Sequence, residues 1–201
     1  GFIHRSAATL MFGLFVIHLW DLNRKRIDEH GGSALKLIFG PKSMLFNRRD
    51  LTELVATLKW FLGSGPRPRY GRWTYWEKFD YFAVFWGIFI IGSTGLMLWF
   101  PVLFTRFLPG SLINVATIIH SDEALLATGF IFTVHFFNTH LRPEKFPMDT
   151  VVFTGRMSVA EFKRDKPAEY EALVASGKLE ENLVEPYQPV VIRTIRAFAW
   201  T

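Results

Sequence analysis

Four histidines lie inside apolar sequence. GFIHRSAATLMFGLFVIHLW carries His4 and His18, and LINVATIIHSDEALLATGFIFTVHFF carries His120 and His135. An imidazole is both a metal ligand and a proton carrier. Polar groups at membrane depth are costly enough that a functional role is the default reading. The spacings are 14 residues (4 to 18) and 15 residues (120 to 135). On an α-helix they correspond to roughly 21–22 Å, against a hydrocarbon core about 30 Å thick. Histidines of one helix are therefore too far apart to share a metal ion. Two neighbouring helices would instead clamp two separate groups, one toward each membrane face.

Helical phase supports the pairs. At about 100° per residue, His18 falls about 40° from His4, and His135 about 60° from His120. A π-bulge in the second helix would tighten its pair. His140 falls about 200° from His120 and reads as an interfacial or loop histidine. His30, in HGGS, reads as a loop residue. Between the ligands, one face of the helix carries Ala124, Ala127, Thr128 and Ile131. Three of these are small and leave room for a flat macrocycle. Gly13 and Gly129 fall near the opposite faces, where they would permit close helix packing.

The chain has no cysteine. That excludes Cys-ligated iron–sulfur clusters and covalent c-type heme. Two bis-histidine hemes, held non-covalently as heme b, are the expectation: His4 with His120 at the outer level, and His18 with His135 at the inner level. The iron ligands would then be His4, His18, His120 and His135. The alternative is a redox-inactive membrane anchor, or a proton- or ion-conducting subunit using the same histidines. Such a path usually needs carboxylates in series, and only Asp122 and Glu123 qualify in the third helix.

The elements that must position these residues are membrane helices. Residues 82–104 carry no charge, residues 112–137 carry only Asp122 and Glu123, and residues 1–20 carry only Arg5. Each run is long enough to span a bilayer. The predicted fold is all-α: a transmembrane helical bundle with helices at about 1–20, 81–104 and 112–140. Residues 1–147 form the di-heme membrane domain, and residues 148–201 a polar tail. DLTELVATLKWFL, residues 50–62, has apolar positions at 51, 54, 55, 58, 61 and 62, the period of an amphipathic helix. Asp50 is expected to cap it and Gly63 to end it. It is expected on the cytoplasmic membrane surface, covering the inner heme pocket or meeting a partner. The tail carries one short helix around 159–177, whose SVAEFKRDKPAEY start reads as a docking element for a soluble subunit. The chain begins with Gly inside an apolar run, which reads as part of a longer protein.

Charge sets the orientation. Residues 21–80 carry 12 Lys/Arg against 7 Asp/Glu, whereas the short link TRFLPGS carries only Arg106. By the positive-inside rule the long connection and the tail are cytoplasmic. The first and third membrane helices then run parallel, which selects His4–His120 and His18–His135 as the pairs. The net charge of +5 suits anionic lipid, and no nucleic-acid recognition motif is present. Nor is there a P-loop, a nucleophile constellation or a metallohydrolase motif.

With these histidines, the segment LKWFLGSGPRPRYGRWTYWEKFDYFAVFWG resembles the di-heme cytochrome b membrane subunits. That group contains the gamma subunit of formate dehydrogenase and the cytochrome b subunit of nickel–iron hydrogenase. HSDEALLATGFIFTVH and FPMDTVVFTGRMSVAEFK look most like a branch that works beside multiheme c-type cytochromes. The resemblance spans residues 3–164. It implies a four-helix bundle whose first helix precedes Gly1, in a bacterial or archaeal inner membrane. It also implies a respiratory complex in which this subunit moves electrons between a quinone pool (menaquinone or ubiquinone) and a multiheme cytochrome c or iron–sulfur partner.

A quinone reacts, in the family, near the segment entering the second helix. There the formate dehydrogenase branch reads roughly G-R-Y-N-x-G-Q-K, and this chain reads GRWTYWEK. Gly71, Arg72 and Lys78 match. Thr74, Trp76 and Glu77 replace the Asn, Gly and Gln. Thr74, Glu77 and Lys78 are the quinone-site candidates, and whether this chain has a quinone-reactive site of its own stays open. A carboxylate kept neutral by desolvation relays a proton, so Glu77 is a proton-relay candidate. An interfacial Glu77–Lys78 charge pair is the other reading. Glu123, one turn past His120, is a candidate to orient an imidazole or to carry a proton. Arg5 and Arg106 on the outer side, and Arg72, Lys78 and Arg142 on the inner side, are candidate partners for heme propionates. Snorkelling to lipid phosphate is the competing role.

Overall fold

The computed structural model describes residues 1–40 and 43–200. All regular elements among them are helical. They are α1 (Phe2–Asp28), α2 (Ala34–Phe39), α3 (Arg48–Phe61), α4 (Tyr75–Trp99), α5 (Pro101–Phe104), α6 (Ser111–Leu141), α7 (Val151–Thr154), α8 (Val159–Asp165), α9 (Pro167–Ala175) and α10 (Pro189–Phe198), with a 3-10 turn at Glu180–Asn182. Three of them, α1, α4 and α6, are long and apolar enough to cross a membrane. The chain forms two compact units. The first is Gly1–Phe46 with Trp76–Ala127, and the second is Asn47–Tyr75 with Thr128–Thr201. The last residue of the expected 148–201 tail lies outside the described residues.

Helix ends do not follow the hydropathy boundaries. α1 was expected to stop near residue 20 and continues to Asp28. Asp21 and Lys25 pair across one turn at 2.8 Å, and Lys25 and Arg26 sit at the carbonyl end, where cations suit the helix dipole. Charge ends the apolar run without ending the helix. α4 begins at Tyr75, six residues before the expected start, so Glu77 occupies its first turn. It stops at Trp99, not at 104. Pro101 has no N–H to continue the ladder and opens the short α5 instead. The expected tail helix at 159–177 is two helices, because Pro167 starts a new one after α8.

The first unit packs its helices antiparallel in chain order. His18 meets Tyr81, Phe15 meets Phe85, and Arg5 stacks over Trp99. As the α1 number falls, the α4 number rises, so the two helices run in opposite directions. His120 of α6 contacts Ile91 and Thr94 of α4, and the link between α4 and α6 is short. α1 and α6 therefore run parallel within this unit. Close approach is set by glycines of α4. A Cβ at Gly92 would lie 2.9 Å from Phe12 Cζ, and one at Gly95 would lie 3.1 Å from His120 Cε1. Gly13 and Gly129, expected to serve this purpose, have no such neighbour within 4 Å.

The second unit is built around a helix turned inside out. The N-cap of α3 is Asn47 and not Asp50. Asp50 is the third helical residue and accepts from the Asn47 amide at 2.6 Å, which closes a capping box. Gly63, at φ +68°, follows the helix end. Asp50, Glu53 and Thr57 are buried, whereas Leu51, Val55, Leu58, Phe61 and Leu62 are exposed. Thr57 bonds the Tyr70 hydroxyl at 2.8 Å, and Arg49 reaches Glu53 at 2.8 Å and the Arg69 carbonyl at 3.3 Å. Burial raises the pKa of that Tyr70 hydroxyl above its ordinary value.

Within the same unit, the loop before α4 is tied to the tail. Arg67 pairs with Asp165 at 3.4 Å, Arg69 with Glu171, and Arg72 with Glu169 at 3.7 Å. The Ala168 amide donates to the Tyr70 carbonyl at 3.2 Å. Lys145 is buried between Asp149, at 2.9 Å, and Glu161. Acidic residues of the segment expected to dock a soluble subunit are thus spent on the chain's own loop.

Candidate metal-ligand site

His4 and His120 are ring neighbours in the first unit, with centroids 6.0 Å apart and planes at 80°, an edge-on arrangement. Two metal–imidazole bonds of about 2 Å each, with two ring radii of about 1 Å, span roughly 6 Å. The centroid separation matches the one that two imidazoles sharing a metal would have. Among the described residues no group of three or more His, Asp or Glu side chains forms a metal site. Two imidazoles would hold a metal only where its remaining ligands came with it, as in a macrocycle.

The surroundings of His120 define which nitrogen would bind. Its Nδ1 lies 3.0 Å from the Ile91 carbonyl and 3.1 Å from Thr94 Oγ1. A carbonyl only accepts, so Nδ1 carries the hydrogen and Nε2 keeps its lone pair. Thr94 donates its own hydroxyl hydrogen to the Ile90 carbonyl at 2.7 Å, which leaves its oxygen free to accept from Nδ1. This is the outer-shell arrangement that orients a ligating imidazole. Sequence reasoning assigned that role to Glu123, which is half-buried and makes no hydrogen bond among the described residues. It missed Thr94, Ile91 and Gly95, because nothing in an apolar run marks which carbonyl will face a ring one helix away.

Comparison with known protein families, characterised proteins and solved structures found no match to this chain.

The other expected site residues are placed as follows. His18 Nε2 lies 2.9 Å from the Tyr81 hydroxyl, edge-on to Tyr81 and Phe85. A metal at that nitrogen would have to displace the phenol. His135 belongs to the second unit, on the π-wound end of α6 (Ile131–His135 and Phe137–Leu141). His140 is helical there, not in a loop, and stacks on Phe136 at 4.2 Å. Arg5 lies over Trp99 at 5.3 Å, and Arg106 lines a surface pocket that also includes Trp99. The two outer arginine candidates thus share one aromatic neighbour.

The candidates expected on the inner side are less available. Arg72 is engaged by Glu169 and lies over Trp73 at 5.3 Å, and Arg142 faces Glu144 at 3.7 Å. Lys78 is buried at 4% exposure, which rules out snorkelling to a lipid phosphate. Thr74 is buried in the second unit, whereas Glu77 and Lys78 lie in the first turn of α4 in the first unit.

Proposed function

We propose that this chain is a cytochrome b membrane subunit carrying two b-type hemes. On this reading it moves electrons across a membrane, between a quinone or quinol and a redox partner in a hetero-oligomeric complex. One observation carries the reading: His4 and His120 stand a metal's width apart, and the Nδ1–H of His120 is pinned to the Ile91 carbonyl. His4 and His120 would hold the outer heme, and His18 and His135 the inner one. Bound there, each heme would supply a one-electron couple.

This chain's own residues would do the rest. Ile91 and Thr94 hold the imidazole of His120 in its ligating tautomer. Gly95 gives the ring space. Arg5 and Arg106 supply positive charge on the outer side, suited to propionates. The π winding at Ile131–His135 fits more residues into a turn than an α-helix does, so it rotates His135 in the sense that narrows its expected offset. The exposed apolar strip of α3 supports its expected place on the membrane surface. The charge balance of loops and tail supports a cytoplasmic long connection and tail, in a bacterial or archaeal inner membrane. The quinone candidates Thr74, Glu77 and Lys78 rest on the family resemblance, as does a multiheme cytochrome c or iron–sulfur partner.

A reduced-minus-oxidised visible spectrum of the purified complex tests the proposal. A b-type α-band is expected, with two hemes per chain by pyridine hemochrome. His4→Ala should remove the outer heme and keep the inner one. A normally inserted protein with no α-band would leave the redox-inactive anchor reading in its place.

A further inference from the structure

α10 stands out in a tail that reads as polar. Its sequence PVVIRTIRAF divides into three strips around the helix. Ile192, Ile195 and Ala199, at i, i+3 and i+7, are partly covered. Val190, Thr194 and Phe198, at i, i+4 and i+8, are exposed, and Phe198 is 63% exposed. Arg193 and Arg196 form the third strip, beside Trp200 at 68% exposure. The apolar strip does not end with the helix. Phe198 meets the ring of Phe153 at 6.0 Å, and Trp200 meets that of Phe146 at 5.0 Å. Phe146 and Phe153 are themselves about half exposed. The second unit thus presents a continuous aromatic surface.

Two observations identify what covers it. The first is chain geometry. Phe146 follows the last residue of the membrane-crossing helix α6, Leu141, by five residues. Even fully extended, five residues reach at most roughly 18 Å, so this surface is tethered near the bilayer boundary, where exposed aromatic rings are favoured. The second is charge. No Asp or Glu occurs between residues 186 and 200. Among the described residues neither Arg193 nor Arg196 has an ion-pair partner. Helices with an apolar face, aromatic residues and unopposed arginines bind anionic bilayers.

We propose that α10, with Phe146 and Phe153, is a lipid-binding surface lying in the headgroup layer of an anionic membrane. Val190, Phe198 and Trp200 enter the interface, and Arg193 and Arg196 pair with lipid phosphate. The surface makes the C-terminal segment a peripheral anchor in addition to the three membrane helices. It is independent of the heme reading.

The absence of cysteine makes the test direct. Val190→Cys, or Thr194→Cys as a second position, carries a single environment-sensitive nitrobenzoxadiazole label on the full chain in proteoliposomes. In phosphatidylcholine containing phosphatidylglycerol the label should emit at shorter wavelength and lose most of its emission to nitroxide-headgroup lipid. A label at Ser176→Cys, exposed after α9, should stay water-like. Adding Arg193→Glu and Arg196→Glu should return the Val190→Cys label to a water-like spectrum. Emission that is the same with and without phosphatidylglycerol would overturn the proposal. Shielding without quenching by the lipid nitroxide would overturn it too, by assigning the face to protein.

Discussion

At the scale of single residues, the chemistry of His120 depends on a hydroxyl and a missing side chain. Thr94 and the Ile91 carbonyl hold Nδ1, and Gly95 leaves the ring its place. Removing an outer-shell partner of a metal ligand typically costs about 10–100-fold in affinity. If His4 and His120 hold a heme as proposed, Thr94→Val should therefore weaken its retention by roughly tenfold, whereas Thr94→Ser should retain it. Hemochrome titration and the low-spin electron paramagnetic resonance signal read the difference. Gly95→Ala should act more strongly, because its Cβ would lie 3.1 Å from a ring that cannot retreat without losing the Ile91 bond. Normal heme occupancy and an unchanged signal in Gly95→Ala would remove the crowding argument.

At the scale of elements, α3 is the informative case. Its amphipathic period and its expected place on a membrane surface were legible in the sequence, and the polar contacts of its inner face were not. A helix in water buries its apolar stripe, yet here Asp50, Glu53 and Thr57 are inside and Leu51, Val55 and Leu58 are outside. Hydrogen bonds to Arg49 and Tyr70 satisfy the buried polar face. If lipid covers the outer face, Leu58→Asp forfeits about 1.5–3 kcal/mol of apolar burial. Amide exchange along α3 in lipid nanodiscs should then accelerate by roughly tenfold or more. Exchange unchanged in nanodiscs would place the face in water. Helix ends were the least legible feature, because hydropathy reports where lipid stops, whereas ion pairs and prolines report where the backbone stops.

At the scale of the whole molecule, polarity is inverted. Among the described residues the buried hydrophobics are Tyr70 and Ala116, and the buried polar residues include Asp50, Lys78, Thr94 and Lys145. A soluble protein shows the opposite, but lipid offers no reason to hide a leucine. Stability of the second unit instead leans on its charges. Burial alone would raise the pKa of Asp165, but the hydrogen bond and charge of Arg164, with Arg142 and Lys145, outweigh it and hold it below the ordinary 3.8. Burial alone would lower that of Lys145, but Glu161 and Asp149 outweigh it and hold it above the ordinary 10.5.

The two groups set opposite limits. The depressed carboxyl contributes stability above its unfolded pKa, and this is lost as pH falls through its folded value. The raised ammonium contributes below its unfolded pKa, and this is lost as pH rises through its folded value. Limited proteolysis of the tail should therefore be slowest between about pH 4 and pH 10. Asp165→Asn should remove the acid-side dependence. The ion pairs from Arg69 and Arg72 are more exposed and should add under about 1 kcal/mol each, so Arg69→Glu should change cleavage little.

What the amino-acid order determined by itself was the three helices long and apolar enough to cross a membrane, and the parallel sense that matches His4 with His120. These follow from local quantities: hydropathy, charge bias and a fixed rise per residue. Tertiary structure alone decided that the Ile91 carbonyl and Thr94 select the nitrogen of His120 that is left to bind. It decided too that Tyr81 stands at His18, that glycines of α4 rather than Gly13 bring the helices together, and that Arg49 and Tyr70 satisfy the buried polar face of α3. Each depends on which side of one helix meets another, and that is settled by packing and by pairing buried polar groups across the fold.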